Sequence, residues 1–349
     1  MVLAIILLVL LGLSVLVNLS QFAVGGARGR GSGSATTRAR GVGPRLDEAV
    51  IEDNDASTKI AIVEVNGIIT STPVDEQGFS MVDVIKAQLD RAQEDRRVKA
   101  VILKVDSPGG EVLASDEISE AIKNFQDGKK SNGQKSDNSR PKPVIVSMGN
   151  LAASGGYYIS APARWIVANK MTLTGSIGVI MHGWNYRGLI DKIGIAPETY
   201  KSGKFKDMLS GSRATNEIPA QEHQMVQKLI DEVYGDFKDV VAAGRSGKLA
   251  DNWTEYADGR VLSGTEAKQH GFVDEIGNFD TALASAKKLA GIEGDVNLIR
   301  YEQRLDLSDI FRMFGESKTQ PPTVKVDLGF DAPRLQAGEM YFLSPVLFH

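Results

Sequence analysis

Residues 98–125 read VKAVILKVDSPGGEVLASDEISEAIKNF, and the fold class follows from this stretch. Val98 to Val105 form a near-continuous apolar run closed by a Pro-Gly-Gly turn. Residues 111–125 then carry apolar positions at helical spacing. A run with so few polar positions is a strand buried on both faces, as in a parallel sheet covered by helices. The same alternation continues outward. Upstream, KIAIVEVNGIIT (59–70) is a strand pattern broken by the turn signal Asn66-Gly67, and MVDVIKAQLDRAQE (81–94) is helical. Downstream, KPVIVSMG (142–149) is the next strand. Strands alternating with helices give an α/β fold.

Between that second helix and Pro143 lies DGKKSNGQKSDNSRPK (127–142), polar and turn-rich, which reads as a solvated surface loop. Residues 219–243 form a long amphipathic helix. Its apolar stripe of Met225, Val226, Leu229, Ile230, Val233, Phe237 and Val240 is core or subunit contact. A last α/β stretch covers 258–301. The tail from Gly315, with Pro321-Pro322, is loosely structured until its apolar end MYFLSPVLF (340–348), and there is no internal repeat.

The 349 residues are 42% hydrophobic and 24% charged, enough for a sizeable core, and the net charge of -4 gives no reason to expect a nucleic-acid partner. With no cysteine, disulfides, zinc-thiolate sites and thiol catalysis are excluded. The chain opens on an apolar run with no charge before Arg28, and a helix through Val24 reaches the roughly 20 residues that span a bilayer. A Gly/Ser/Arg-rich linker follows. A cleaved signal peptide competes with the anchor, since Ala23 and Gly25 are small residues near a cleavage point, but its basic leading region is missing. Arg28, Arg30, Arg38, Arg40 and Arg45 follow the run, and the positive-inside rule would put them in the cytoplasm.

Three strand ends carry glycines or small polar residues: DSPGG (106–110), AASGG (152–156) and TGSIGV (174–179). Ligands bind at such carboxyl ends in α/β sheets. Ser154, flanked by alanines and two glycines, fits a nucleophile at a strand-to-helix turn, and it equally fits a plain helix cap. Backbone N–H groups of Gly109, Gly110 and Gly155 could converge as an oxyanion hole. Of the four histidines, His223 and His349 read as solvent-facing and His270 as a helix C-terminus. Only His182, after the strand IGVIM, could reach such a site, with Asp106 or another acid orienting it. Lys201, Lys204 and Lys206 lie in YKSGKFKDMLSGSR, and a lysine serves as general base only when neutral.

The run SPGG…SMGNLAASGGYYIS…TLTGSIGVI…YKSGKFKD resembles the signal peptide peptidase A family of membrane-anchored serine peptidases, peptidase family S49, in its short single-repeat bacterial form. The resemblance spans about 58–301. It implies a ClpP/crotonase-like fold of strand-strand-helix units at 58–301, a transmembrane anchor at 1–24, a flexible linker at 25–57 and a C-terminal tail at 302–349. By position, Ser154 takes the role of nucleophile and Lys206, before Asp207, that of general base, with Lys201 its rival. Ser176 would hold the lysine amine, and Gly109, Gly110 and Gly155 fall where the fold supplies oxyanion donors. The family implies remnant signal peptides as substrates, no cofactor or metal, and a ring-shaped homo-oligomer whose serine and lysine come from neighbouring subunits. It also implies a single-pass location in the cell membrane with the catalytic domain outside the cytoplasm, which the arginines after the anchor oppose. The loop at 127–142 looks longer than the family pattern. A ClpP-type Ser154–His182 peptidase, a crotonase-like acyl-thioester enzyme and an inactive scaffold are the rival readings.

Overall fold

The computed structural model describes residues 43–73, 78–303 and 340–343. The apolar run at 1–24 and most of the C-terminal tail lie outside the described residues. Among those described, no helix is long and apolar enough to cross a membrane.

The centre is a nine-stranded, mostly parallel sheet. Its main path runs β1 (Leu46–Glu52), β10 (Asn297–Gln303), β2 (Lys59–Asn66), β3 (Val98–Ser107), β5 (Val144–Ala153), β6 (Trp165–Ala168) and β9 (Glu275–Ile276). From β10 to β9 every neighbour is parallel, and β1 joins β10 antiparallel. Leu46–Glu52 fall in the expected linker, yet their backbone pairing makes them the sheet edge.

Both faces of the sheet are covered, which is why β2, β3 and β5 read as unbroken apolar runs. On one face Val63, Val101, Leu103 and Val146 pack with helices α1 (Met81–Glu94) and α2 (Val112–Gln126). On the other, Ile60, Ile62, Ile102 and Ile145 pack with Ala282 and Ala286 of α7 (Phe279–Leu289). Helix α1 starts where Ser80 and Asp83 close a capping box.

β5 then forks. Ile145–Ser147 pair with β6, whereas Leu151–Ala153 pair with the short β7 (Leu173–Gly175), itself antiparallel to β8 (Val261–Ser263). This second pairing carries β5 past Gly149, where its apolar pattern ends, up to Ser154. The glycines of the DSPGG turn also become strand, β4 (Gly109–Glu111).

Two sequence expectations change here. The stretch 127–142 is not simply solvated: Ser136, Asn138 and Lys142 are buried. Lys142 Nζ donates to the carbonyls of Ala92, Gln93 and Asp95 at 2.6, 3.0 and 2.9 Å. Those carbonyls close the last turn of α1, where no intrahelical donor remains. Burial lowers the Lys142 ammonium to about 8. In the long helix α5 (Ala220–Gly244) only Glu222, Phe237 and Val241 are buried. Its stripe serves the core at the C-terminal half, while Met225 and Leu229 stay exposed.

Candidate active site

Ser154 stands between β5 and helix α3 (Gly155–Ser160), at φ 54° and ψ -117°. A non-glycine residue there carries strain of about 1–3 kcal/mol, which surrounding contacts must hold. The Ser154 N–H donates to Gly175 O, and its carbonyl accepts from Tyr158 N–H, both at 2.8 Å. The residue is 1% exposed, and its Oγ is buried with no hydrogen-bond partner among the described residues. A buried hydroxyl left unbonded costs stability, so a role other than capping is called for.

The two glycine motifs meet at this turn. A Cβ on Gly155 would lie 2.7 Å from Ser115 Oγ and 3.1 Å from Gly110 N. Gly109, at φ 103°, faces two backbone atoms: a Cβ there would come within 1.9 Å of Phe342 O and 2.6 Å of Gly155 N. Only glycine lets a peptide carbonyl approach that amide. The Gly109 N–H itself is already donated to Ser107 Oγ at 3.1 Å. Of the three glycines expected as oxyanion donors, Gly109 thus has its N–H bonded within its own turn, and Gly110 stands opposite Phe342 of the strand Tyr341–Leu343. Ser176 is close by, buried and also at positive φ (51°), following the Gly175 that receives the Ser154 amide.

The chain's own strand β11 (Tyr341–Leu343) lies beside this turn, its Phe342 carbonyl close to Gly109. β11 pairs antiparallel with β4, Phe342 opposite Gly110. On its other edge, Tyr341 N–H donates to Ile180 O at 3.1 Å and Ile180 N–H returns a bond at 3.2 Å. An extended peptide is thus held along both sides beside Ser154. The Phe342 ring stacks on Tyr158 at 4.8 Å and meets Phe237 at 4.7 Å. Tyr158 OH donates to Asp116 Oδ1 at 2.8 Å, and burial, reinforced by that carboxylate, pushes the phenol strongly upward. The sequence marked 340–348 as an apolar end, but so short a stretch carries no periodicity to say whether it docks on a partner or occupies a substrate groove.

The other candidates lie apart. No residue of 181–221 is buried, and α4 (Arg187–Lys192) within it contributes nothing to the core. The Lys206 side chain is exposed and makes no hydrogen bond or ion pair with a described residue. Lys201 Nζ is bound to both Asp207 oxygens at 2.8 and 2.9 Å. His182 is exposed and not bonded to Ser154. His270 ends helix α6 (Gly264–Gln269), as its sequence suggested, and stacks on Tyr256. Among the described residues no three His, Cys, Asp or Glu cluster as metal ligands would.

Residues 136–293 match the family model described as Peptidase family S49. A candidate signal peptide peptidase SppA of Enterococcus faecium is 38% identical over 261 residues, covering 74% of this chain and 71% of that protein. The chain belongs to peptidase family S49. Protease 4 of Haemophilus influenzae, 36% identical over 246 residues, covers 70% of this chain but 37% of its own length. The chloroplastic serine protease SPPA of Arabidopsis thaliana is 34% identical, over 67% of this chain and 33% of its own. This S49 chain is a serine peptidase, and its mixed α/β sheet brings Gly109, Gly110 and Gly155 together at the Ser154 turn.

Proposed function

We propose that this chain is a membrane-anchored serine endopeptidase that degrades remnant signal peptides, with Ser154 as nucleophile and Lys206 as general base. The observation that carries the reading is the extended strand β11 seated against β4 beside a buried, unbonded Ser154 hydroxyl. A substrate strand would take the same place.

Neutral Lys206 removes the Ser154 Oγ proton, and the oxygen attacks the peptide carbonyl. The amides of Gly110 and Gly155 receive the developing oxyanion. The lysine returns its proton to the leaving amine, the acyl-enzyme forms, and water activated by the same amine releases the product. Ser176 orients the lysine amine. The aromatic surface of Tyr158 and Phe237 suits the apolar cores of signal peptides.

The base would come from a neighbouring copy. Among the described residues the hydroxyl has no partner, and the segment bearing Lys206 is exposed. That segment shows a large apolar surface: Trp184 is 85% exposed, Tyr200 91%, Leu189 63% and Ile193 62%. Such a surface favours burial against a partner. A ring of copies would cover it and bring each Lys206 to the next Ser154. The same reading gives the ClpP/crotonase-like fold to 58–301 and a bilayer-spanning role to 1–24, with the catalytic domain outside the cytoplasm.

The test is hydrolysis of an apolar signal-peptide-like substrate by wild type, Ser154→Ala, Lys206→Ala, Lys201→Ala and His182→Ala. Loss in the first two variants alone is expected. Near-normal turnover by Lys206→Ala would remove the base assignment.

A further inference from the structure

The lysine-bearing segment lies outside the core, yet the side chains of Arg213 and Lys204 fasten it to the start of α5. Asp207, next to Lys206 in the chain, accepts from Lys201 Nζ and also from Arg213 Nη1 at 3.4 Å. Arg213 Nη2 donates to both oxygens of Glu222, one of them at 2.7 Å. Glu222 is 2% exposed, in the first turn of α5. A single guanidinium therefore ties the residue after Lys206 to the start of the long helix. Its planar fork can hold two carboxylates at once, which an ammonium cannot do with the same geometry.

The network also sorts the lysines. Lys201 is committed to Asp207, and Lys204 Nζ donates to Gln221 Oε1 at 3.2 Å while lying over the Phe205 ring. Lys206 is left to reach outward from a fixed backbone.

We infer that Arg213 is a positioning residue for Lys206, acting through Asp207 and Glu222. This rests on the reading of Lys206 as general base. A lysine on its flexible stem must arrive at the hydroxyl in register, and a misplacement of about 1 Å costs on the order of 100-fold in rate. Arg213 sets that register by fixing the main chain one residue away. Neutralising a buried Glu222 is the purely structural alternative, and the two roles separate in kinetics.

The experiment uses the full chain carrying Arg213→Ala, Arg213→Lys or Asp207→Asn, each in the wild-type and the Lys206→Ala background. Turnover of an apolar peptide and of an activated p-nitrophenyl ester is read beside melting temperature and oligomeric state. Arg213→Ala is expected to lower kcat by about 10- to 100-fold, with KM within about threefold. Arg213→Lys recovers only part of the loss. Asp207→Asn keeps the Arg213–Glu222 pair, lowers kcat by about 10-fold and still folds, so it carries the test if Arg213→Ala does not fold. In the Lys206→Ala background none of the three slows residual ester hydrolysis further. The inference is overturned if Asp207→Asn and the folded Arg213 variants keep kcat within about twofold of wild type while Lys206→Ala is inactive. It is equally overturned if they slow the Lys206→Ala background by the same factor as wild type. Near-normal turnover by Lys206→Ala would instead sink the base assignment itself, and this inference with it.

Discussion

The Ser154 turn and the 181–213 segment belong to one proposed site but are built in opposite ways. Around Ser154 every neighbour is fixed: β5 and β7 hold its amide, Gly109 and Gly155 allow contacts a Cβ would block, and the residue is buried. Along 181–213 no residue is buried, and an ion-pair network with the Lys204–Gln221 hydrogen bond fastens the lysine-bearing stretch to α5. A strained nucleophile can persist only where packing over-determines it. A base that a second copy must receive can lie on the surface until that copy arrives.

The largest effect expected from this contrast is at Ser154 itself. Ser154→Ala should abolish peptide hydrolysis, while chemical denaturation shows no loss of stability, because the hydroxyl it removes is unbonded. Ser154→Gly should be equally inactive and melt about 2 °C or more higher, as glycine relieves the positive φ. A Ser154→Ala variant that unfolds would reassign the residue to a structural cap.

Gly109→Ala comes next. Its Cβ would meet the Phe342 and Gly155 backbone at 1.9 and 2.6 Å and push β4 away from the Ser154 turn, so we expect about 100-fold loss of activity and lower stability. Gly188→Ala, in α4 of the exposed segment with nothing within 4 Å of the added carbon, should change neither activity nor melting temperature detectably. Equal effects at the two glycines would erase the distinction between the regions.

A charge on the apolar face separates folding from assembly. Leu189→Glu and Ile193→Glu should leave the melting of the isolated chain within about 0.5 kcal/mol of wild type. Light scattering should report smaller particles, and activity should fall with assembly. Retained activity in a monomer would show that the lysine works within its own chain.

The smallest effect is a pH dependence at Lys142. Its folded pKa, lowered to about 8 by burial, lies below the unfolded value near 10.5. Between these values the unfolded chain binds more protons, so this group's contribution to stability rises with pH across that window and is level below it. The urea midpoint of wild type relative to Lys142→Met should follow that slope, and a flat difference would remove burial as the cause.

How far the sequence could be read followed from where order is local. Helix α1 was legible because Met81–Glu94 carry apolar residues at the helical period. β3 was legible because a strand covered on both faces needs no polar position. β5 beyond Gly149 was not, since NLAA becomes strand through pairing with β7 and, at Ala152, with β3. The Ser154 and glycine motifs were visible as small residues at strand ends, but the closed approach of Gly109 to Gly155 needed the fold. The Lys201–Asp207–Arg213–Glu222 network has no regular spacing and so had no sequence signal, while β11 showed only as an apolar end whose place is set by its partners.

The division of the site between copies is tested most directly by mixing Ser154→Ala and Lys206→Ala chains, each inactive alone, after dissociation and reassembly. If every site takes its serine from one copy and its lysine from the next, an equal mixture should regain about a quarter of wild-type activity. A mixture that reassembles to the wild-type size and stays inactive would place both residues on one chain, or exclude Lys206 as the base.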